Sequence, residues 1–145
     1  MFMGEYNHSI DSKGRLIIPS KLREDLGESF VITKGLDGCL FIYTEKEWEN
    51  IENKFREMPL TTKDARKFSR FFFAGAAKME TDKQGRILIP NSLREFALLK
   101  KDVVLVGVLD RVEIWDKDNW EHNTLVSDKD MDEIAEHMSN MGLGI

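Results

Sequence analysis

Two arginines in this chain stand in one and the same setting. Arg15 closes the segment Asp11-Ser-Lys-Gly-Arg, and Arg86 closes Asp82-Lys-Gln-Gly-Arg. Between apolar runs, Asp-x-x-Gly reads as a tight hairpin turn. Asp11 or Asp82 caps it through its own carboxylate, and Gly14 or Gly85 takes the positive φ that a bulged hairpin requires. The arginine follows one residue past the tip, so a long cation projects outward rather than into a core. Two outlets for that cation remain open at this point. It can close on the aspartate of its own turn, an exposed ion pair worth about 0–1 kcal/mol, or it can meet an acceptor outside the chain. That the same arginine is presented twice favours the second.

The turns belong to a larger repeat. Asp11 to Glu24 returns as Asp82 to Glu95, with Asp, Gly, Arg, Ile, Pro, Leu, Arg and Glu at matching offsets. After each arginine a short aliphatic strand, Leu16-Ile17-Ile18 or Ile87-Leu88-Ile89, runs into Pro19 or Pro90, which cannot donate to a ladder. Ser20 or Asn91 is the predicted cap of a helical turn or two over 21–26 or 92–99, with Leu22 and Leu26, or Leu93 and Ala97, four apart on one face. More loosely, Phe30-Val31-Ile32 matches Val103-Val104-Leu105, the turn at Leu36-Asp37 matches Leu109-Asp110, and the strand at 39–43 matches 112–115. Trp48 answers Trp120 in the helix after it. Neither copy has the apolar surface for a large core of its own, so the units must pack on each other or on a neighbouring subunit.

A helical segment separates the copies. Thr44 and Glu47 form a predicted capping box before Trp48, Ile51 and Phe55 at helical spacing. Met58-Pro59 breaks the run and Thr61 with Asp64 is expected to restart it. Phe68, Phe71 and Phe72 then form a stripe of amphipathic-helix period, read as packing between units or subunits rather than as a platform for stacking bases. At the other end, 128–138 forms an acidic amphipathic helix through Met131, Ile134 and Met138, followed by a frayed tail at 139–145.

Charge alone does not announce a polyanion partner, because the net charge is −5. Its distribution matters more. Up to Leu109 there are 18 Lys and Arg against 16 Asp and Glu, and from Asp110 onward 3 against 10, so the acidity belongs to the C-terminal end. Lys13, Lys21, Arg23, Lys78, Lys83 and Arg94 sit in or beside the repeated unit. Catalytic chemistry finds no support: His8, His122 and His137 share no metal-ligand spacing, and no nucleophile elbow or phosphate-cradling loop occurs. Asp11 and Asp82 are explained by turn capping. The single cysteine, Cys39, lies in an apolar strand and reads as a small core residue that excludes an internal disulfide framework. No signal peptide or membrane span is visible, which points to the cytoplasm.

The doubled Asp-x-x-x-Arg motif with its aliphatic-Pro sequel, the opening Met-Phe-Met-Gly-Glu-Tyr and the mid-chain Phe-Phe-Phe-Ala-Gly-Ala resemble the MraZ family of bacterial regulators, whose members have two SpoVT-AbrB-type domains. The resemblance runs from Met1 to about Trp120. It implies an α+β fold of two tandem pseudo-symmetric double-split β-barrel units joined by helices: units at 5–47 and 76–119, a helical linker at 48–75, and an acidic C-terminal helix and tail at 120–145. It also implies a homo-oligomeric ring that binds double-stranded promoter DNA on the nucleoid, at short direct repeats ahead of cell-division and cell-wall genes. The DNA-binding residues would be Lys13, Gly14, Arg15, Lys21, Lys83, Gly85 and Arg86, with the first loop dominant. No cofactor, metal, membrane or small-molecule substrate is called for. The rival reading is a protein-interaction module of antitoxin or scaffold type, using the turns without DNA readout.

Overall fold

The computed structural model describes residues 1–144; Ile145, the end of the expected tail, lies outside the described residues. In the first repeat β1 (Phe2–Ser9), β2 (Arg15–Ile17), α1 (Ser20–Leu26), β3 (Ser29–Lys34) and β4 (Leu40–Thr44) follow one another. Then come α2 (Glu45–Glu57) and α3 (Lys63–Ala74). The second repeat gives β5 (Ala77–Glu80), β6 (Arg86–Leu88), α4 (Asn91–Phe96), β7 (Asp102–Leu109) and β8 (Arg111–Asp116), before α5 (Lys117–Thr124) and α6 (Asp128–Asn140).

The expectation that the units pack on each other is met by exchange of strands. β1 pairs antiparallel with β7 of the other repeat, and its counterpart β5 pairs with β3. The hairpins β3–β4 and β7–β8 stay within their repeats and join through β4–β8. The resulting six-stranded sheet, ordered β1-β7-β8-β4-β3-β5, reads the same from either end when the repeats are swapped. Apart from it, β2 and β6 form a two-stranded antiparallel ribbon. The predicted hairpins therefore hold at their turns but not along their arms, because each turn joins strands that leave for different ladders.

One core serves both repeats. Leu16, Ile18, Leu22, Leu26, Phe30 and Ile32 pack with Ile87, Ile89, Leu93, Ala97, Val103 and Leu105, all buried between the sheet and the layer of ribbon, α1 and α4. The opposite face of the sheet carries Phe41, Tyr43 and Trp115, covered by Phe72 of α3 and by Trp48 and Phe55 of α2. There the aromatic stripe does packing work: Phe55, Phe68 and Phe72 stack on one another at 5.8 Å. The buried Thr33 hydroxyl donates to the Phe72 carbonyl at 2.6 Å and pins α3 to β3. Cys39 is buried, as expected, and burial pushes its thiol pKa up.

Several local expectations change. Ser20 and Asn91 do not cap; each short helix starts one residue earlier than predicted, with Pro19 or Pro90 as N-cap and no side-chain cap bond. Proline supplies the fixed φ, and its carbonyl accepts from the Leu22 and Arg23 amides, or from those of Leu93 and Arg94. Thr44 accepts from the Glu47 amide as predicted, whereas α3 is capped by Thr62, which accepts from the Ala65 amide, rather than by Thr61. The second turns take positive φ at Asp37 and Leu109. α6 extends to Asn140, past the expected end at Met138, and its Met131, Ile134 and Met138 remain exposed.

Leu16 and Ile87 face each other in the ribbon and are almost wholly buried in the shared core. Leu16→Ala should cost about 2–5 kcal/mol. Because the core is common property, urea unfolding should remain a single transition seen identically by far-UV dichroism and tryptophan fluorescence. Separate transitions for the two repeats would contradict a shared core.

Candidate nucleic-acid interface

Each Asp-x-x-Gly-Arg turn is wound around its aspartate. One carboxylate oxygen of Asp11 accepts from the Lys13 and Arg15 amides, both at 2.9 Å, and the other accepts from Arg15 Nε at 2.7 Å. Asp82 repeats this with the Gln84 and Arg86 amides at 2.9 Å and Arg86 Nε at 2.8 Å. The Asp11 amide donates to the Arg15 carbonyl and the Gly14 amide to the Asp11 carbonyl, closing the loop. Led by the bond from the Arg15 amide, these donors hold the Asp11 carboxyl at about 2, below its ordinary 3.8, and those from Arg86 and Gln84 lower that of Asp82. Both carboxylates stay ionised at any neutral pH.

Gly14 and Gly85 have φ of +84° and +76°, as the turn reading requires. Space demands glycine as well. A Cβ on Gly14 would overlap the Arg94 guanidinium, and one on Gly85 would overlap that of Arg23. The second arginine of each repeat therefore lies flat beneath the turn of the other repeat, its Nε buried and without a partner among the described residues. Crossed main-chain bonds reinforce the link: Ile18 donates to the Gly85 carbonyl at 2.9 Å and Ile89 to the Gly14 carbonyl at 3.1 Å. The sequence reading placed Arg23 and Arg94 only in the general basic neighbourhood. Their recurrence at one offset was the signal that could have marked them as supports of the turns.

The ribbon brings the two turns side by side. In register, Arg15 stands opposite Leu88 and Ile17 opposite Arg86, flanking the inward pair Leu16 and Ile87. By strand alternation Arg15, Ile17, Arg86 and Leu88 share the outer face, the arginines on one diagonal and the aliphatic residues on the other. Both outlets considered for the cations are thus compatible. The aspartate holds Nε, while the two terminal amino groups of each arginine have no hydrogen-bond partner among the described residues. Lys13 and Lys83 are exposed at the turn tips, and no ion pair engages them or Lys21 among the described residues. Lys21 borders a hollow with Met1, Phe2 and Tyr6, on the helix whose Arg23 lies against the second turn.

The family model described as "MraZ protein, putative antitoxin-like" matches this chain twice, over residues 1–71 and 72–140. The chain is 59% identical over 143 residues to a protein of Caldanaerobacter subterraneus named Transcriptional regulator MraZ, covering 99% of this chain and all of that one. Relatives of the same name stand at 59% identity in Acetivibrio thermocellus, over 99% of this chain and all of the relative, and at 58% in Pelotomaculum thermopropionicum, over the full length of both. Two matches to one family model, end to end, coincide with the two repeats that exchange strands here, and the chain belongs to the MraZ family.

Proposed function

We propose that this protein is a transcriptional regulator that reads double-stranded promoter DNA with the outer face of the β2–β6 ribbon. The observation that carries the reading is the pairing of two rigidly latched arginines on one exposed two-stranded ribbon. The major groove of B-DNA is wide enough to admit such a ribbon, and an arginine fork donates bidentately to guanine O6 and N7. With Nε held by its aspartate, each guanidinium offers its terminal amino groups in a preset direction, so little side-chain entropy is lost on contact. Lys13, Lys83 and, farther out, Lys21 would hold phosphates. The names of the relatives support regulation of transcription, and the ribbon supports DNA as the ligand.

One ribbon binds weakly, so specificity needs several on one assembly. The exposed apolar side of α6, at Met131, Ile134 and Met138, supports self-association. A closed head-to-tail ring would repeat the ribbon at fixed intervals and convert weak contacts into avidity. Its targets would be short direct repeats ahead of cell-division and cell-wall genes, met on the nucleoid in the cytoplasm. The first test is an electrophoretic shift with promoter DNA of that cluster across a salt series. A salt-dependent, sequence-selective shift is expected; binding to a protein partner with no DNA shift would favour an interaction module instead.

Three predictions follow from the site. Arg15→Ala should lose about 1–3 kcal/mol of binding and relax sequence preference, whereas Lys13→Ala should weaken all sequences alike and reduce the salt slope by about 1. Unchanged specific affinity in Arg15→Ala would sink the arginine assignment. For the turn itself, a depressed carboxyl pKa contributes stability that is present above the unfolded value and lost as pH falls through the folded one. The Asp11 carboxyl should therefore titrate by NMR with a midpoint near 2, moving the Arg15 amide resonance with it. Between about pH 5 and 8 the turn should not change. Finally, if neighbouring ribbons meet repeats about 10 bp apart, inserting half a helical turn between repeats should weaken binding far more than inserting a full turn. Equal binding of the two insertions, or a monomer by light scattering, would end the ring mechanism.

A further inference from the structure

Two aliphatic side chains on the ribbon have no structural employment. Ile17 is 45% exposed and Leu88 is 58% exposed, although each lies in a strand whose neighbours, Leu16, Ile18, Ile87 and Ile89, are buried. A two-stranded ribbon tolerates polar residues on its outer face, so folding does not require an aliphatic residue at either place. Their position is informative. Leu88 is directly opposite Arg15 and Ile17 directly opposite Arg86. Opposed residues of an antiparallel pair have Cβ atoms about 4.5–5.5 Å apart, between one and two steps of the rise of about 3.4 Å between successive base pairs, so the two side chains reach different pairs.

Resting on the reading that this face enters the major groove, we infer that Leu88 and Ile17 are specificity-determining contacts for the C5-methyl groups of thymine. Each arginine takes a guanine, and the aliphatic residue across the ladder packs on a thymine methyl of a neighbouring base pair. The methyl is the one apolar feature of a base edge in that groove. A phosphate or a guanine edge gives an aliphatic side chain nothing to bind, and a protein partner would not explain why each aliphatic residue is matched to an arginine. The recognised element is then a guanine with a thymine at an adjacent pair, read in two similar but unequal ways because isoleucine and leucine differ in shape.

The test starts with duplexes selected by the wild-type chain from a randomised pool, so that no target need be assumed. Thymines beside selected guanines are then replaced one at a time by deoxyuridine, which deletes only the methyl. Affinities are measured by fluorescence anisotropy at fixed salt for the wild type, Ile17→Ala, Leu88→Ala, Arg15→Ala and Arg86→Ala. Wild type should lose about fourfold at a contacted methyl, the loss expected for one buried methyl. Leu88→Ala should abolish the penalty at one thymine and Ile17→Ala at another, with thermal unfolding unchanged since both residues are exposed. Selected sites without thymine beside guanine, or a deoxyuridine penalty that persists in both alanine variants, would overturn the inference while leaving arginine readout intact. Failure of selection, or wild-type binding by Arg15→Ala and Arg86→Ala, would instead overturn the DNA reading and this inference with it.

Discussion

The β2–β6 ribbon depends on a constraint that reaches through the whole molecule: two strands of three residues cannot stand alone, and these two exist only because each repeat lends one to the other. Leu16 and Ile87 close the ribbon from below by entering the core that the six-stranded sheet closes from above. Exchange of β1 and β5 onto β7 and β3 ties the same two repeats together at the sheet edges. The distance between the two turns is therefore set by main-chain hydrogen bonds and not by a linker. The α2–α3 segment has to span the repeats, but the register of Arg15 against Leu88 does not depend on it.

Beneath the turns the same reciprocity is built from charge. A buried polar nitrogen without a partner is costly, more so on a charged group, and Arg23 and Arg94 each carry one among the described residues. What they supply is a planar floor against which a glycine backbone can lie. A carboxylate above, accepting from two amides and an arginine, and a guanidinium below leave each turn little freedom. The arrangement also gathers four arginines and the tip lysines Lys13 and Lys83 around one small surface against the two paired aspartates, while the net acidic excess lies in the C-terminal region. The formal charge of the chain thus conceals a cationic face.

Much of this was legible in the residues because the chain contains its own comparison. The turn at Asp11, the positive φ at Gly14 and Gly85 and the buried pairs Leu22–Leu26 and Leu93–Ala97 all follow from offsets shared by both copies. Pairing was not legible. Periodicity says that Leu16 faces inward but does not say which strand it meets, and proximity in sequence argued for β1 where topology chose β6. Caps shifted by one residue for a local reason: Pro19 and Pro90 already have helix-compatible φ and offer a carbonyl, which puts Ser20 and Asn91 inside the first turn rather than at the cap. The Arg23–Gly85 and Arg94–Gly14 contacts were hidden because they are long-range in sequence and involve a residue with no side chain.

Symmetry leaves one problem that the proposed function must solve. A ribbon with an approximate two-fold axis through the Leu16–Ile87 pair presents nearly the same face in either orientation on DNA. Direct repeats, unlike palindromes, require that each ribbon sit in one orientation only. The aspartates, glycines and arginines cannot supply the difference, since they are identical in the two turns. Discrimination has to come from positions where the copies diverge: Ser12 and Lys13 against Lys83 and Gln84 at the tips, Ile17 against Leu88 on the outer face, and Lys21 against Ser92 on the short helices. A lysine shifted by one place between tips displaces a phosphate contact by one backbone step, which favours one polarity of the strand. Divergence at these few positions, on a scaffold otherwise held symmetric by shared strands, is what would let a doubled unit recognise a sequence that has a direction.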